Sequence, residues 1–261
     1  MDDTLSNSHE KIVNEIAQQL GVSADIHPAD FILQFLLNHP SFWPSNKAIK
    51  HDFNDGLASA QKLQAILRDD CGFVGKDRIS LLEFASGYGC VTRHLKNVVP
   101  FCATTACDIH EEAVRFIEQQ LQTDAILSTT RPEDLRLEQA FDVVFALSFF
   151  SHMPKNTFTR WLRKLASFVK SGGYLIFTTH GLVSRKYLFP DSRLDKDGFY
   201  FYRASDQKDI STNEYGTSCT TPKYVFVEAL KIPELSPTHF REAYWWGHQD
   251  LYVFKKTVGL I

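Results

Sequence analysis

The chain has 261 residues, with 28 Lys+Arg against 31 Asp+Glu and a formal charge of −3. Its 44% hydrophobic and 23% charged residues suit a chain that buries a core, which excludes a disordered, collagen-like or coiled-coil protein. The slightly acidic balance argues against a protein whose main task is gripping phosphate backbones.

The longest apolar runs, such as residues 141–150, fall short of the roughly 20 residues that cross a bilayer, so no membrane association is expected. The opening Met1-Asp2-Asp3 is acidic where a secretory leader is basic. Cys71, Cys90, Cys102, Cys107 and Cys219 are odd in number and lack a CxxC pair. That argues against a disulfide framework or a metal site, and for the reduced thiols of a cytoplasmic protein. The sequence leaves monomer and homodimer equally open.

Taken in chain order, Ile12, Ile16 and Leu20 recur at helical spacing and Gly21 stops the run. Residues 30–37 predict a second helix, ending before His39-Pro40. A turn covers 41–44, and a third helix covers about 53–69. Then the rhythm changes to short apolar strands alternating with amphipathic helices. Strands are expected at 78–84, 101–107, 125–128, 141–147 and 174–179. Helices are expected at 91–98, 111–121 and 156–169, the last closed by Ser171-Gly172-Gly173. This alternation predicts βαβ units and an α/β fold with a doubly wound, mostly parallel sheet. After the fifth strand, residues 184–221 form a polar insert with an aromatic strand at 198–202. Thr221-Pro222 opens a helix over 224–230, although its β-branched and aromatic residues also suit a strand. Residues 239–246 and 250–256 read as a closing antiparallel pair around Gly247. The expected division is a helical cap over 1–74 and a nucleotide-type domain over 75–261.

The run Leu81-Leu82-Glu83-Phe84-Ala85-Ser86-Gly87-Tyr88-Gly89 ends a strand in a carboxylate and turns tightly into a helix. Glycine suits a turn where the backbone takes positive φ or comes close to a ligand. Asp108 follows 21 residues after Gly87, at the end of the next strand, where a carboxylate accepts hydrogen bonds from ribose hydroxyls. A dinucleotide site asks for a third glycine where Thr92 stands, and Glu83 would repel a pyrophosphate. The charges therefore favour S-adenosylmethionine (SAM), which carries a ribose, an ammonium and a sulfonium but no phosphate, over a nicotinamide dinucleotide.

With these residues in view, the stretch 81–89 resembles motif I of the class I SAM-dependent methyltransferases. Ala106-Cys107-Asp108-Ile109-His110 resembles their ribose-binding motif, and residues 130–135 the segment beside adenine. Residues 141–153 and 172–177 are similar to the fourth and fifth strands, and 246–254 to the closing hairpin. The resemblance implies a seven-stranded Rossmann-like methyltransferase fold with N-terminal helices and an insert after the fifth strand. It implies that Glu83, Ala85, Ser86, Gly87 and Gly89 hold the methionine part, and that Asp108 takes the ribose with Ile109 against adenine. Pro132 and Glu133 would border the base, and Leu147 and Ser148 would lie near the sulfonium. Two positions depart from the family pattern: Ala85 replaces its first glycine, and Arg131 stands where an acidic residue often meets the adenine amino group.

His152 and His180, after the fourth and fifth strands, are candidate catalytic groups, each with a structural role as the competing reading. Tyr200, Tyr202, Tyr215, Trp245 and Trp246 are candidates for an aromatic substrate wall, or for core and interface. The expected activity is methyl transfer from SAM to a small-molecule O, N or C acceptor, without nucleic acid as partner. The alternatives are a protein or tRNA methyltransferase and a non-catalytic SAM-binding protein.

Overall fold

The computed structural model describes residues 7–74, 78–205, 207 and 210–257. The chain forms two compact units, one of residues 1–78 with 86–128, the other of residues 79–85 with 129–261.

In the first unit, α1 (Asn7–Leu20) buries Val13, Ile16 and Ala17 against Leu33, Ile49 and Phe53. Asp30 caps α2 (Phe31–Asn38), accepting from the backbone N–H groups of Ile32 and Leu33 at 3.1 Å each. The third helix, α3 (Ser45–Asp69), begins eight residues before the expected start at 53. Its first two turns carry Ala48 and Ile49, both fully buried, but His51 and Asp52 interrupt the apolar spacing and hide the pattern. Next come α4 (Thr92–Val98), β2 (Cys102–Asp108), α5 (Glu111–Gln120) and β3 (Asp124–Leu127). β2 and β3 pair in parallel, Asp108 opposite Leu127. Ala113, Phe116 and Ile117 of α5 close over Ala106 and Tyr88.

The second unit holds β1 (Ile79–Phe84), β4 (Phe141–Ala146), α6 (Lys155–Ser167) and β5 (Val169–His180). β1 pairs with β4, and β4 with β5, all in parallel. Ser171-Gly172-Gly173 does not close α6, as the sequence suggested. The helix ends at Ser167, Val169 already pairs with Phe141, and both glycines lie inside β5 at a register shift. Gly172 has φ +82°, and a Cβ on Gly173 would sit 2.5 Å from the Asp142 carbonyl oxygen, so the bulge needs both.

Beyond β5 the chain forms α7 (Leu182–Leu188), β6 (Phe199–Tyr202), β7 (Thr217–Thr220) and α8 (Pro222–Ala229). α7 begins two residues before the polar insert and β7 lies inside it, and the sequence pattern shows neither. β6 and β7 make a separate two-stranded sheet. Residues 222–229 are helical rather than a strand, with Thr221 Oγ1 accepting from Tyr224 N at 3.2 Å. The closing pair is β8 (Leu235–Trp245) and β9 (Gln249–Lys256), antiparallel, with β9 antiparallel to β5. β8 starts four residues earlier than expected. Pro237 masks its start, and the edge position of the strand tolerates a residue that donates no ladder bond. The strand order is β3-β2-β1-β4-β5-β9-β8, the mostly parallel sheet that the alternation predicts, with the seven strands that the resemblance implies.

Candidate functional site

The glycine turn follows β1. In the first unit, Ser86 N donates to Cys107 O at 3.2 Å and Gly89 N to Ser86 O at 3.1 Å. Gly87 and Gly89 have φ of +57° and +84°, conformations that glycine takes without strain. Gly87 N donates to Asp108 Oδ2 at 2.8 Å, and Asp108 Oδ1 receives His110 N at 3.0 Å and stands 2.8 Å from His110 Nδ1. A carboxylate offers about four lone-pair sites, so this one retains capacity on Oδ2 for a ligand hydroxyl. Ser86 Oγ is buried with no hydrogen-bond partner among the described residues. An orphaned hydroxyl at a glycine turn, beside a carboxylate with spare acceptor capacity, fits a polar nucleoside ligand.

The N-terminal segment packs on this turn. The His27 ring stacks on Tyr88 with centroids 4.7 Å apart, and Phe31 lies 6.4 Å from Tyr88 and 5.7 Å from His110. Behind it lies a buried polar group of Asp30, Asp52, Arg93 and His94, with the half-buried Cys90 donating to the Asp52 carbonyl. Arg93 donates to the carbonyls of Ser23 and Asp25 and stacks over Phe53 at 4.7 Å. Burial, reinforced by Asp30, pushes the Asp52 carboxyl up to about 7. Burial and then Arg93 hold His94 down at about 4.

In the second unit, Glu83 is buried near the end of β1 and Ala85 follows with φ +59°. Ala85 thus adopts a left-handed backbone, which costs a residue with a Cβ about 1–2 kcal/mol. After β4, Leu147 is half-buried and Ser148 has φ +58°. Pro132 is buried, whereas Glu133 is exposed and gives both carboxylate oxygens to Arg160, at 2.8 and 2.6 Å. That pair holds the Glu133 carboxyl down at about 2. Ile109, on the first unit, is half-buried.

His152 stacks face to face on Tyr215 at 4.6 Å, and its Nδ1 lies 2.7 Å from Gly216 O. His180 lies 6.1 Å from His152 and 5.9 Å from His248, centroid to centroid. Burial, then His152 and His248, holds His180 down at about 3, so its imidazole is neutral at neutral pH. The aromatic candidates do not form one wall. Trp245 is fully buried against Phe145, and Trp246 is 39% exposed and stacks on His248. Tyr202 is half exposed beside Phe189. Tyr200 lines a cavity of about 650 Å³ with Lys155, Asn156, Phe201, Arg193 and Arg203. The sequence reading passed over Ser151, Thr178 and Gln249, which meet at Ser148. Their signal was a polar ending, Thr178-Thr179-His180, on an otherwise apolar strand. Among the described residues no helix is long and apolar enough to cross a membrane.

Residues 82–175 match a family model described as a methyltransferase domain. No curated protein matches the chain. Among solved structures, the chain is similar to an S-adenosylmethionine-dependent methyltransferase from Clostridium acetobutylicum ATCC 824, at 14% identity and TM-score 0.54, over 78% of this chain and 92% of that one. It is similar to the 1,6-didemethyltoxoflavin-N1-methyltransferase of Burkholderia thailandensis, solved with 1,6-didemethyltoxoflavin and S-adenosylhomocysteine, at 14% identity and TM-score 0.54, over 99% and 94%. It is also similar to the N-methyltransferase NodS of Bradyrhizobium japonicum WM9, in complex with S-adenosylhomocysteine, at 12% identity and TM-score 0.51, over 87% and 98%. At such identities the likeness concerns the fold. Sheet and strand order are those of the Rossmann-like methyltransferase fold. The chain carries a methyltransferase domain over residues 82–175.

Proposed function

We propose that the protein transfers a methyl group from SAM to a small-molecule acceptor. The observation that carries this reading is the glycine turn, where Gly87 N–H donates to Asp108 and the Ser86 hydroxyl is buried without a partner among the described residues. When bound, SAM supplies a methyl already activated on a sulfonium. Asp108 accepts from the ribose hydroxyls through its spare lone pair. Ser86, Gly87 and Gly89 receive the methionine part, and the Glu83 carboxylate answers its ammonium. A charge-assisted hydrogen bond of this kind contributes about 1.5–3 kcal/mol. Ile109 offers apolar surface to the base. The chain's work is to align the acceptor and exclude water, since in-line displacement at an activated methyl needs positioning above all.

The small-molecule acceptor is favoured by the net charge of −3, which suits neither tRNA nor another polyanion. Structural neighbours that hold small acceptors, such as the toxoflavin-precursor enzyme, support the same reading. Incubation with labelled SAM against metabolite pools, tRNA and protein tests it. Label entering the metabolite fraction with release of S-adenosylhomocysteine is expected. Label entering tRNA or protein alone overturns the acceptor class, and no turnover with any pool leaves a binding protein.

A further inference from the structure

Ser148 is not glycine, yet it holds φ +58° at the turn after β4. An L-residue keeps this conformation only where its surroundings enforce it. The enforcing groups come from the two neighbouring strands. Ser148 N–H donates to Thr178 Oγ1 at 2.8 Å. The Thr178 hydroxyl donates to Gln249 Oε1 at 2.6 Å. Gln249 Nε2 returns a proton to Ser148 Oγ at 2.9 Å and closes the ring. Ser148 Oγ lies 2.8 Å from Ser151 Oγ, and the Ser151 hydroxyl donates to the Ser148 carbonyl. One assignment of protons satisfies all five bonds: Ser151 donates to the carbonyl and Ser148 donates to Ser151 Oγ. Thr178 and Ser151 are fully buried and Gln249 is 2% exposed, so the strand side of the ring is shielded from water.

The ring therefore ties the turn after β4 to the end of β5 and the start of β9. We infer that Thr178 and Gln249 are positioning residues that lock Ser148 in its left-handed conformation and so pre-form the turn that receives the methyl donor. This rests on the reading that residues after β4 border the donor. Without the ring, Ser148 relaxes to an ordinary backbone most of the time, and apparent affinity falls by the fraction of chains still competent. Neither residue needs to touch the donor for this to hold.

Calorimetric titration with S-adenosylhomocysteine tests the lock. Thr178→Val, which keeps shape but loses the hydroxyl, should weaken binding about tenfold, whereas Thr178→Ser should stay within about twofold. Gln249→Met should repeat the Thr178→Val loss, and it decides the matter where Thr178→Val fails to melt cooperatively. In a Ser148→Gly background, either substitution should change affinity by less than about twofold, because glycine takes this backbone freely. A folded Thr178→Val or Gln249→Met variant that binds like the native chain overturns the inference. So does a loss that persists in full in the Ser148→Gly background, since the ring would then only support the fold. Failure of the native chain itself to bind S-adenosylhomocysteine would instead remove the donor reading beneath it.

Discussion

The backbone N–H of Gly87 donates to Oδ2 of Asp108 at 2.8 Å, fastening the glycine turn to the end of β2. Asp108 therefore has two tasks in the proposed reading: it holds the turn and it receives the ribose. Asp108→Ala removes both, and binding of S-adenosylhomocysteine should weaken at least about tenfold. Asp108→Asn retains one acceptor oxygen and should lose less. Calorimetric titration of both variants checks this, and unchanged affinity in Asp108→Ala removes the residue from the site.

Gly56 makes a prediction about stability rather than binding. It lies in the middle of α3, where a Cβ would stand 2.1 Å from the Cys90 carbonyl oxygen. Backbone cannot swing aside as a side chain can, so Gly56→Ala must push α3 away from the segment that leads into α4. The helix propensity gained, about 1 kcal/mol, is smaller than an overpacking cost of up to about 3 kcal/mol or more. Urea denaturation should show a net loss of stability. A gain would mean that the two segments separate easily.

Asp52 predicts a pH dependence. In the folded chain burial, reinforced by Asp30, keeps its proton up to about pH 7. In the unfolded chain it ionises near pH 4. Between these values the folded chain holds a proton that the unfolded chain has lost, so rising pH lowers stability across that window. Arg93 acts against this shift, while Asp55 adds to it. Asp52→Asn abolishes the dependence. Its stability relative to the native chain should climb from pH 4 to pH 7 and then level off. His94 and His180, held at about 4 and about 3, lower stability as pH falls below 6.5, but they do so in both proteins and cancel in the difference. A flat difference in urea titrations across this range would refute the assignment.

The strands were legible because β1, β4 and β5 are buried on both faces and read as continuous apolar runs. The glycine turn and Asp108 were legible because their spacing along the chain reflects two consecutive strand ends. What escaped had non-local causes. The bulge at Gly172-Gly173 mimics a helix stop, since positive φ serves both. α7 and β7 sit in a polar stretch where short elements gain their stability from neighbours rather than from periodicity. The ring at Ser148 joins residues 30 and 101 positions away, and the polar ending of β5 is its single local trace in the sequence. Trp245, for which pocket wall and core both stood open in the sequence, is core, and a register shift between Arg241 and Trp245 breaks the alternation that would have told the two apart.

His152 and Tyr215 supply the last prediction. Their rings stack at 4.6 Å with planes 8° apart, while His152 Nδ1 meets the Gly216 carbonyl at 2.7 Å and Gly216 N donates back to His152 O at 3.0 Å. The loop after β4 and the approach to β7 thus grip each other three times within two residues. His152→Phe keeps a ring for Tyr215 but leaves the buried Gly216 carbonyl without its side-chain donor, a cost of about 1–2 kcal/mol. Tyr215→Leu removes the stacking and should cost about 0.5–1.5 kcal/mol beyond lost area. The two contacts hold one junction, so the effects should not add: once either is lost, the other has less to hold. A double-mutant cycle read by chemical denaturation should give a coupling of at least about 0.5 kcal/mol. Additive losses would show that the ring stack and the hydrogen bond act independently.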